Sequence, residues 1–403
     1  MNRRKFLLGS GLAVLAGRLA MNASANDSAP ATGAIVEANN RFALAMYQQL
    51  AKSTAATENI WFSPLSIEAA LAMPYVGARG KTAQEMAKVL GFTDNGEQTA
   101  GLVAELSKQL RTVSPKFVGE FRLANAIWHQ QNRMVVPAFA QVMNRHFEAG
   151  LRGIDFTASE AARKQINDWV SEQTKKQIPD LMPEGSITQD TTMVLANALY
   201  FKGNWKTPFD PKQTQNAEFR RGADLVKSVP MMSQSGRFPF AWMADCAIAE
   251  LPYDHSEFRM RIILPHEDQT LAKIEAKLDG HALWKPMLRP TKIDVGLPRF
   301  TMKTKAQLND ALKALGMPTA FSDTADFSGI GSGFDTISEV QHAATLAVDE
   351  VGTVATAATG IGITALSLPP QLVVNRPAML MITHQATGAI VFLGRLANPE
   401  VGK

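Results

Sequence analysis

Apolar residues at Ile35, Ala38, Phe42, Ala45, Met46 and Leu50 recur at the spacing that places them on one side of a helix, so residues 35–51 read as helical. Ser63-Pro64 then offers a capping hydroxyl followed by a proline suited to the first helical position. Leu65, Ala69, Leu71, Ala72 and Met73 continue it as a buried helix. Helical patterns return over 82–90, 99–110, 138–147 and 160–175. The texture then changes. Residues 192–201, Thr-Met-Val-Leu-Ala-Asn-Ala-Leu-Tyr-Phe, form a nearly continuous apolar run that suits a strand buried on both faces. Strand-like runs follow at 259–264, 292–297 and 371–375, and those at 379–383 and 390–393 flank Gln385-Ala386-Thr387-Gly388 as a hairpin. One more helix fits 305–315, stopped by Gly316 and Pro318. Helices come first and strands dominate later, so the fold class is α+β. The 403 residues hold no internal repeat or long linker and read as one large domain.

Composition narrows the function. A 46% hydrophobic and 19% charged chain is ordinary for a globular protein. The formal charge of +4 traces to Arg3, Arg4, Lys5 and Arg18 in the first 25 residues, which carry no acid; without those four, 37 basic residues face 37 acidic ones. Such a balance gives no reason to expect nucleic acid or an anionic membrane as partner. The seven histidines show no metal-ligand spacing, and no metal or cofactor is expected. Gly360-Ile361-Gly362 resembles a dinucleotide loop, but Pro369-Pro370 forbids the helix that must follow. Gly329-Ile330-Gly331-Ser332-Gly333 lacks a nucleophile elbow and reads as a loop. The lone Cys246 excludes an internal disulfide and reads as buried and inert.

The first 25 residues read as a signal peptide. Arg3-Arg4-Lys5-Phe6-Leu7 precedes a mostly apolar stretch, and Ala23-Ser24-Ala25 fits a small-residue cleavage site. Arg-Arg-x-Phe-Leu resembles a twin-arginine signal more than a Sec signal with two chance arginines. The expected location is secreted, in the periplasm or the extracellular space, with the domain running from 26 to 403.

Residues 352–365 carry no charge, no proline and no aromatic ring. Composition alone permits a flexible linker or a small-residue helix. Read with period two, one face shows Thr353, Ala355, Ala357, Thr359, Ile361 and Ile363, and the other shows Val354, Thr356, Ala358, Gly360, Gly362 and Thr364. Every residue keeps its N–H, so the segment is acceptable as a central strand as well as an exposed loop. That double specification fits a loop that inserts into a sheet.

Glu350-Val351-Gly352-Thr353-Val354-Ala355-Thr356-Ala357-Ala358-Thr359 closely resembles the hinge of inhibitory serpins. The likeness covers nearly the whole chain after the signal: Asn59-Ile60-Trp61-Phe62-Ser63-Pro64-Leu65-Ser66, Leu195 to Trp205, Val340-Gln341-His342-Ala343, Val374-Asn375-Arg376-Pro377 and Phe392-Leu393-Gly394-Arg395 all look like serpin segments. Ala378 and Val351 depart from it, standing where phenylalanine and a charged residue are usual. The resemblance implies about eight or nine helices around three β-sheets, with an exposed reactive-centre loop at about 350–370. It implies a monomeric inhibitor, not an enzyme, that forms a covalent complex with a target serine protease. The scissile bond is implied at Leu366–Ser367, sixteen residues after Glu350 and just before Leu368-Pro369-Pro370. The hinge is Glu350, Gly352, Thr353, Ala355, Ala357, Ala358 and Thr359. Ser63, Ser66, Asn197 and His342 resemble the polar cluster under the main sheet and Trp205 the tryptophan at the insertion point, although satisfied core polar groups and a core tryptophan would look the same. A leucine bait suits chymotrypsin-like, subtilisin-like or elastase-like proteases. Inhibition of cysteine proteases, or a non-inhibitory carrier or chaperone, are the alternatives.

Exchanging Arg3 and Arg4 together for lysine should abolish export if the twin-arginine reading is right. Cell fractionation checks this, and unchanged export would assign the Sec route.

Overall fold

In the computed structural model the helical periodicities become eight α-helices among the described residues. These are 28–352 and 369–400, without 93–94, 112–115, 118, 148–149, 223–225, 256, 279–285 and the side chains of 28–32. The helices are α1 (Ser28–Ser53), α2 (Pro64–Gly77), α3 (Gly80–Leu90), α4 (Gly96–Arg111), α5 (Pro137–His146), α6 (Ser159–Gln173), α7 (Leu271–Glu275) and α8 (Asn309–Leu315). α2 starts as its sequence predicts: the Ser63 hydroxyl accepts the Ser66 amide at 3.2 Å and Pro64 fills the first helical turn. The expected helix at 305–315 is corrected at its start. Lys305, Ala306 and Gln307 pair with Ala343, His342 and Gln341 in a sheet, and the helix begins only at Asn309.

The strands are β1 (Ile60–Phe62), β2 (Gly119–Gln130), β3 (Leu151–Ile154), β4 (Met193–Gly203), β5 (Gln215–Arg220), β6 (Val226–Trp242), β7 (Cys246–Pro252), β8 (Phe258–Pro265), β9 (Arg289–Pro298), β10 (Phe300–Gln307), β11 (Glu339–Val348), β12 (Gln371–Val373), β13 (Ala378–His384) and β14 (Ile390–Leu396). The second half is therefore strand-rich, as its texture suggests, and the hairpin around Gly388 is present as β13–β14. The long β2 lies in the helical half, where periodicity gives no sign of it. The described strands form two hydrogen-bonded sheets. One runs β10-β11-β4-β2-β3. The other is a nine-stranded network in which β6 pairs with β9 and β5 along its length and with β7 only at Phe240–Trp242, so one strand joins two layers.

The five-stranded sheet is covered on both faces, which explains its uninterrupted apolar runs. On β4, Met193, Leu195, Leu199 and Phe201 join the main core, while Val194, Ala196 and Ala198 face the cluster built by Ile166 and Val170 of α6. Small residues on that side let α6 lie close. Its central pair is unusual: β11 runs parallel to β4, from Glu339 opposite Val194 to Leu346 opposite Phe201, while β10–β11 and β4–β2 are antiparallel. Cys246 is buried, and burial pushes its thiol up to about 11, so it is an inert core group as its sequence context suggests.

α2 is buried along nearly its whole length beneath this sheet and carries one misfit, Glu68. Glu68 is fully buried, and neither carboxyl oxygen has a hydrogen-bond partner among the described residues. Burial raises its pKa well above the usual carboxylate range, so it is held protonated. The folded chain keeps this proton while the unfolded chain releases it near about pH 4.3. Stability is thus fully present below that pH and is lost progressively as pH rises. Glu68→Met should raise the melting temperature, by a margin reflecting about 1–3 kcal/mol for the unmade hydrogen bonds. The margin should widen from about pH 5 to about pH 8 in thermal melts.

Candidate functional site

Ser63, Ser66, Asn197 and His342 are brought together beneath the parallel pair. Asn197 on β4 and His342 on β11 sit directly opposite each other across that seam. The Ser63 amide donates to His342 Nε2 at 3.2 Å, so Nδ1 carries the proton and donates to Asn197 Oδ1. The Ser66 hydroxyl donates to the same Oδ1 at 3.0 Å. Asn197 Nδ2 donates in turn to the Ser66 carbonyl at 2.9 Å and to Asn125 Oδ1. Both functional ends of Asn197 are therefore used, and the network ties β2, β4 and β11 to the start of α2. His342 is fully buried, and burial lowers its pKa to about 3, so the imidazole is neutral.

Sequence reasoning overlooked Asn125. A signal was present: Leu-Ala-Asn-Ala occurs at both 123–126 and 195–198, and the two copies pair antiparallel with Asn125 opposite Asn197. Alternation then sends both asparagines to the α2 side of the sheet.

The hinge begins where β11 ends. The Trp205 amide donates to the Val351 carbonyl at 3.4 Å, its indole Nε1–H to the Asp349 carbonyl at 2.9 Å, and the Phe209 amide to the Glu350 carbonyl at 2.8 Å. Trp205 is itself stacked on Tyr253 at 4.6 Å between ring centroids. The Glu350 carboxylate is nearly buried, accepting from Thr214 Oγ1 at 2.6 Å and from both Arg299 Nε, at 3.1 Å, and Arg299 Nη2. Burial alone would raise its pKa, but the Arg299 and Thr214 hydrogen bonds outweigh this and hold the carboxyl below its usual value. Arg299 and Thr214 carry no sequence signal of this role; each comes from another strand or turn. Gly352 adopts φ +62°, and a Cβ there would run into the backbone of Asn204 and Trp205. Only glycine meets both demands.

Thr353, Ala355, Ala357, Ala358, Thr359, Leu366 and Ser367 lie outside the described residues, as does the segment 1–25 expected to be a signal peptide. The chain is described again from Pro369, and the Asp294 amide donates to the Pro370 carbonyl at 3.0 Å as β12 joins β9 in parallel. Gly352 thus lies beside β4 and β11, whereas Pro370 and β12 lie in the second sheet.

The serpin family model, described as serine protease inhibitor, matches residues 37–399. The chain is a serpin. It is 34% identical to human serpin B3 over 387 residues, covering 90% of this chain and 99% of that protein. It is 38% identical to the pig (Sus scrofa) leukocyte elastase inhibitor over 376 residues, covering 90% and 98%. Among solved structures, uncleaved ovalbumin superposes with a TM-score of 0.85 at 32% identity, covering 91% of this chain and all of that one. Human thyroxine-binding globulin, solved with its hormone, gives 0.82 at 28% identity, covering 92% and 99%. This serpin therefore belongs to a family of protease inhibitors rather than enzymes, although the same fold also occurs in a thyroxine-binding protein.

The neutral His342 makes stability pH-dependent. Its folded pKa of about 3 lies below the unfolded value of about 6.5, so its contribution is present above about pH 6.5 and is lost as pH falls toward 3. Urea unfolding at about pH 7 and about pH 5 should show the native chain losing more stability, or gaining less, than His342→Gln as the pH falls, since Glu68 contributes equally to both. An equal slope in both would remove His342 as its source.

Proposed function

We propose that this serpin inhibits serine endopeptidases as a suicide substrate, with Leu366–Ser367 as the bait. The protease serine oxygen attacks the Leu366 carbonyl carbon and the Leu366–Ser367 C–N bond breaks. The Ser367 amine leaves with a proton, and Leu366 stays esterified to the protease. The freed segment then enters between β4 and β11.

The parallel β4–β11 pair is the observation that carries this reading. A segment leaving the end of β11 and turning back along it runs antiparallel to β11, and therefore also antiparallel to β4. One inserted strand replaces a parallel ladder with two antiparallel ones, which are the more stable per residue. Reactive-loop insertion is the serpin form of β-strand addition. Residues 353–366 supply fourteen positions, which at about 3.3 Å each span about 45 Å, enough to carry the acylated protease from one pole of the domain to the other. Thr353, Ala355, Ala357, Ala358 and Thr359 fit either face of such a strand. Glu350 and Gly352 anchor its turn, and Ser63, Ser66, Asn197, His342 and Trp205 are the groups that must re-pair as the sheet opens. The relatives named as inhibitors support this reading. A Leu366 bait favours chymotrypsin-like, subtilisin-like or elastase-like targets. Export through the Arg3-Arg4 signal would place the inhibitor in the periplasm or outside the cell.

Incubation with chymotrypsin, subtilisin and an elastase, followed by a denaturing gel, should show a covalent band at the summed mass with at least one of them. Cleaved loop without complex for all three would overturn the inhibitory reading in favour of a substrate or carrier. Thr353→Arg places a charge on the inserting face and should convert inhibition to plain cleavage; an unchanged stoichiometry would reassign that face.

A further inference from the structure

The foot of the β4–β11 seam, where both strands start and at the opposite end from the hinge, is closed by side chains as well as by the ladder. Ser338, the residue before β11, donates its amide to the Met193 carbonyl at 2.9 Å. Its hydroxyl oxygen accepts the Thr192 amide at 3.0 Å and lies 3.3 Å from Thr192 Oγ1. Thr192 Oγ1 donates to the Thr336 carbonyl at 2.9 Å. Every one of these contacts crosses the seam. On one side Thr192 is held to β2, whose Gln130 amide donates to the Thr192 carbonyl at 3.4 Å. On the other side Ser338 is held by Asn309 at the start of α8. Asn309 Nδ2 donates to the Ser338 carbonyl at 2.7 Å, and Asn309 Oδ1 accepts the Val340 amide at 2.9 Å. β10 pairs with β11 over eight residues and α8 follows β10, so these three form one block. β2, β3 and β4 form the other. The Thr192 contacts join the two blocks at their foot, whereas the Asn309 contacts lie inside one of them.

We propose that Thr192 and Ser338 form a clasp at the foot of the seam, and that its opening sets the ratio of trapped to released protease. This rests on the inhibitory reading above. Gly352 completes the turn that leaves β11, and the ten residues of β11 offer ten positions to a strand that doubles back along it. Residues 353–362 fill those positions, so 363–366 run past the foot, by about 13 Å at about 3.3 Å each. Their path lies between Ser338 and Thr192. The upper seam can part and receive most of the strand while the clasp holds, but the acylated Leu366 does not pass the foot until the clasp opens. Until then water can cleave the Leu366 ester, which leaves a carboxyl group on Leu366 and returns the proton to the protease serine. Bonds made only before insertion slow it, and each one lost hastens it. Thr192 and Ser338 are positioning residues: they act through the seam and touch no atom of the reaction.

Rapid mixing of the full chain, in excess, with chymotrypsin, subtilisin and an elastase gives the limiting rate of trapping and the amount of inhibitor consumed per protease trapped. Thr192→Val combined with Ser338→Ala should raise that rate about fivefold or more and lower the consumption. Thr192→Ser and Ser338→Thr keep both hydroxyls and should keep the native rate. Asn309→Ala should lower the melting temperature without changing the rate, which separates the clasp from a general loosening of the fold. Thr192→Cys combined with Ser338→Cys places two sulfurs where the native oxygens are 3.3 Å apart. Oxidised, this variant should be cleaved without forming a covalent complex; reduced, it should trap again. Three results would each overturn the clasp: an unchanged rate in Thr192→Val with Ser338→Ala, an equal acceleration in Asn309→Ala, or undiminished trapping by the oxidised cysteine pair. If the native chain forms a complex with none of the proteases, the inhibitory reading falls and takes the clasp with it. Complexes that form at unchanged rates overturn the clasp alone.

Discussion

The hydrogen bond from His342 to Asn197 is the contact on which the arrangement of the five-stranded sheet turns. It crosses the seam between β11 and β4, and the same imidazole accepts the Ser63 amide at Nε2, which it can do only while neutral. Burial meets that condition, because the site offers no charge to stabilise an imidazolium. Around it every donor and acceptor of Asn197 is used, by Ser66 on one side and by Asn125 and His342 on the others. A satisfied polar network inside an apolar core specifies one arrangement more sharply than apolar packing alone, since any shift strands a buried polar group. The same property makes the seam openable: a polar contact can be exchanged for another, whereas an interdigitated apolar one must be torn apart.

The hinge follows the same logic at the sheet's end. Trp205 and Phe209 donate to the carbonyls of Asp349, Glu350 and Val351, so the backbone leaving β11 is held by main-chain hydrogen bonds before any side chain acts. Arg299 and Thr214 fix the Glu350 carboxylate, and Gly352 takes a left-handed turn against Asn204 and Trp205. The uncharged, proline-free run that begins at Thr353 starts from this rigid post. A parallel neighbour pair, a fixed turn and a segment able to form every ladder bond are separately ordinary. Placed in succession they give strand insertion both a direction and a start.

Much of this was legible in the chain. The helices through α6 were visible from spacing, the start of α2 from Ser63-Pro64, β4 from its unbroken apolar run and β13–β14 from the hairpin at Gly388. Others were hidden for physical reasons. β2 mixes Arg122, Asn125 and His129 with apolar residues because its first five residues are only half-buried and Asn125 faces the polar network beneath the sheet, so neither alternation nor a continuous run results. Lys305–Gln307 continue the apparent helical pattern, but β11 needs an antiparallel edge partner and tertiary pairing overrides the local preference. Asn125 was readable only through its echo of Asn197.

The sequence by itself determined the family, the hinge composition, the likeness of Leu366–Ser367 to a bait, and four of the five members of the seam network, because these are matters of residue type and order along the chain. Tertiary structure alone decided that β11 lies parallel to β4, that Asn125 completes the network, that Arg299 and Thr214 hold Glu350, and that Thr192 and Ser338 meet at the foot of the seam. Each of those joins residues from distant parts of the chain. Spacing along the sequence reports which way a side chain faces on its own element, and only the packing of elements decides what it meets.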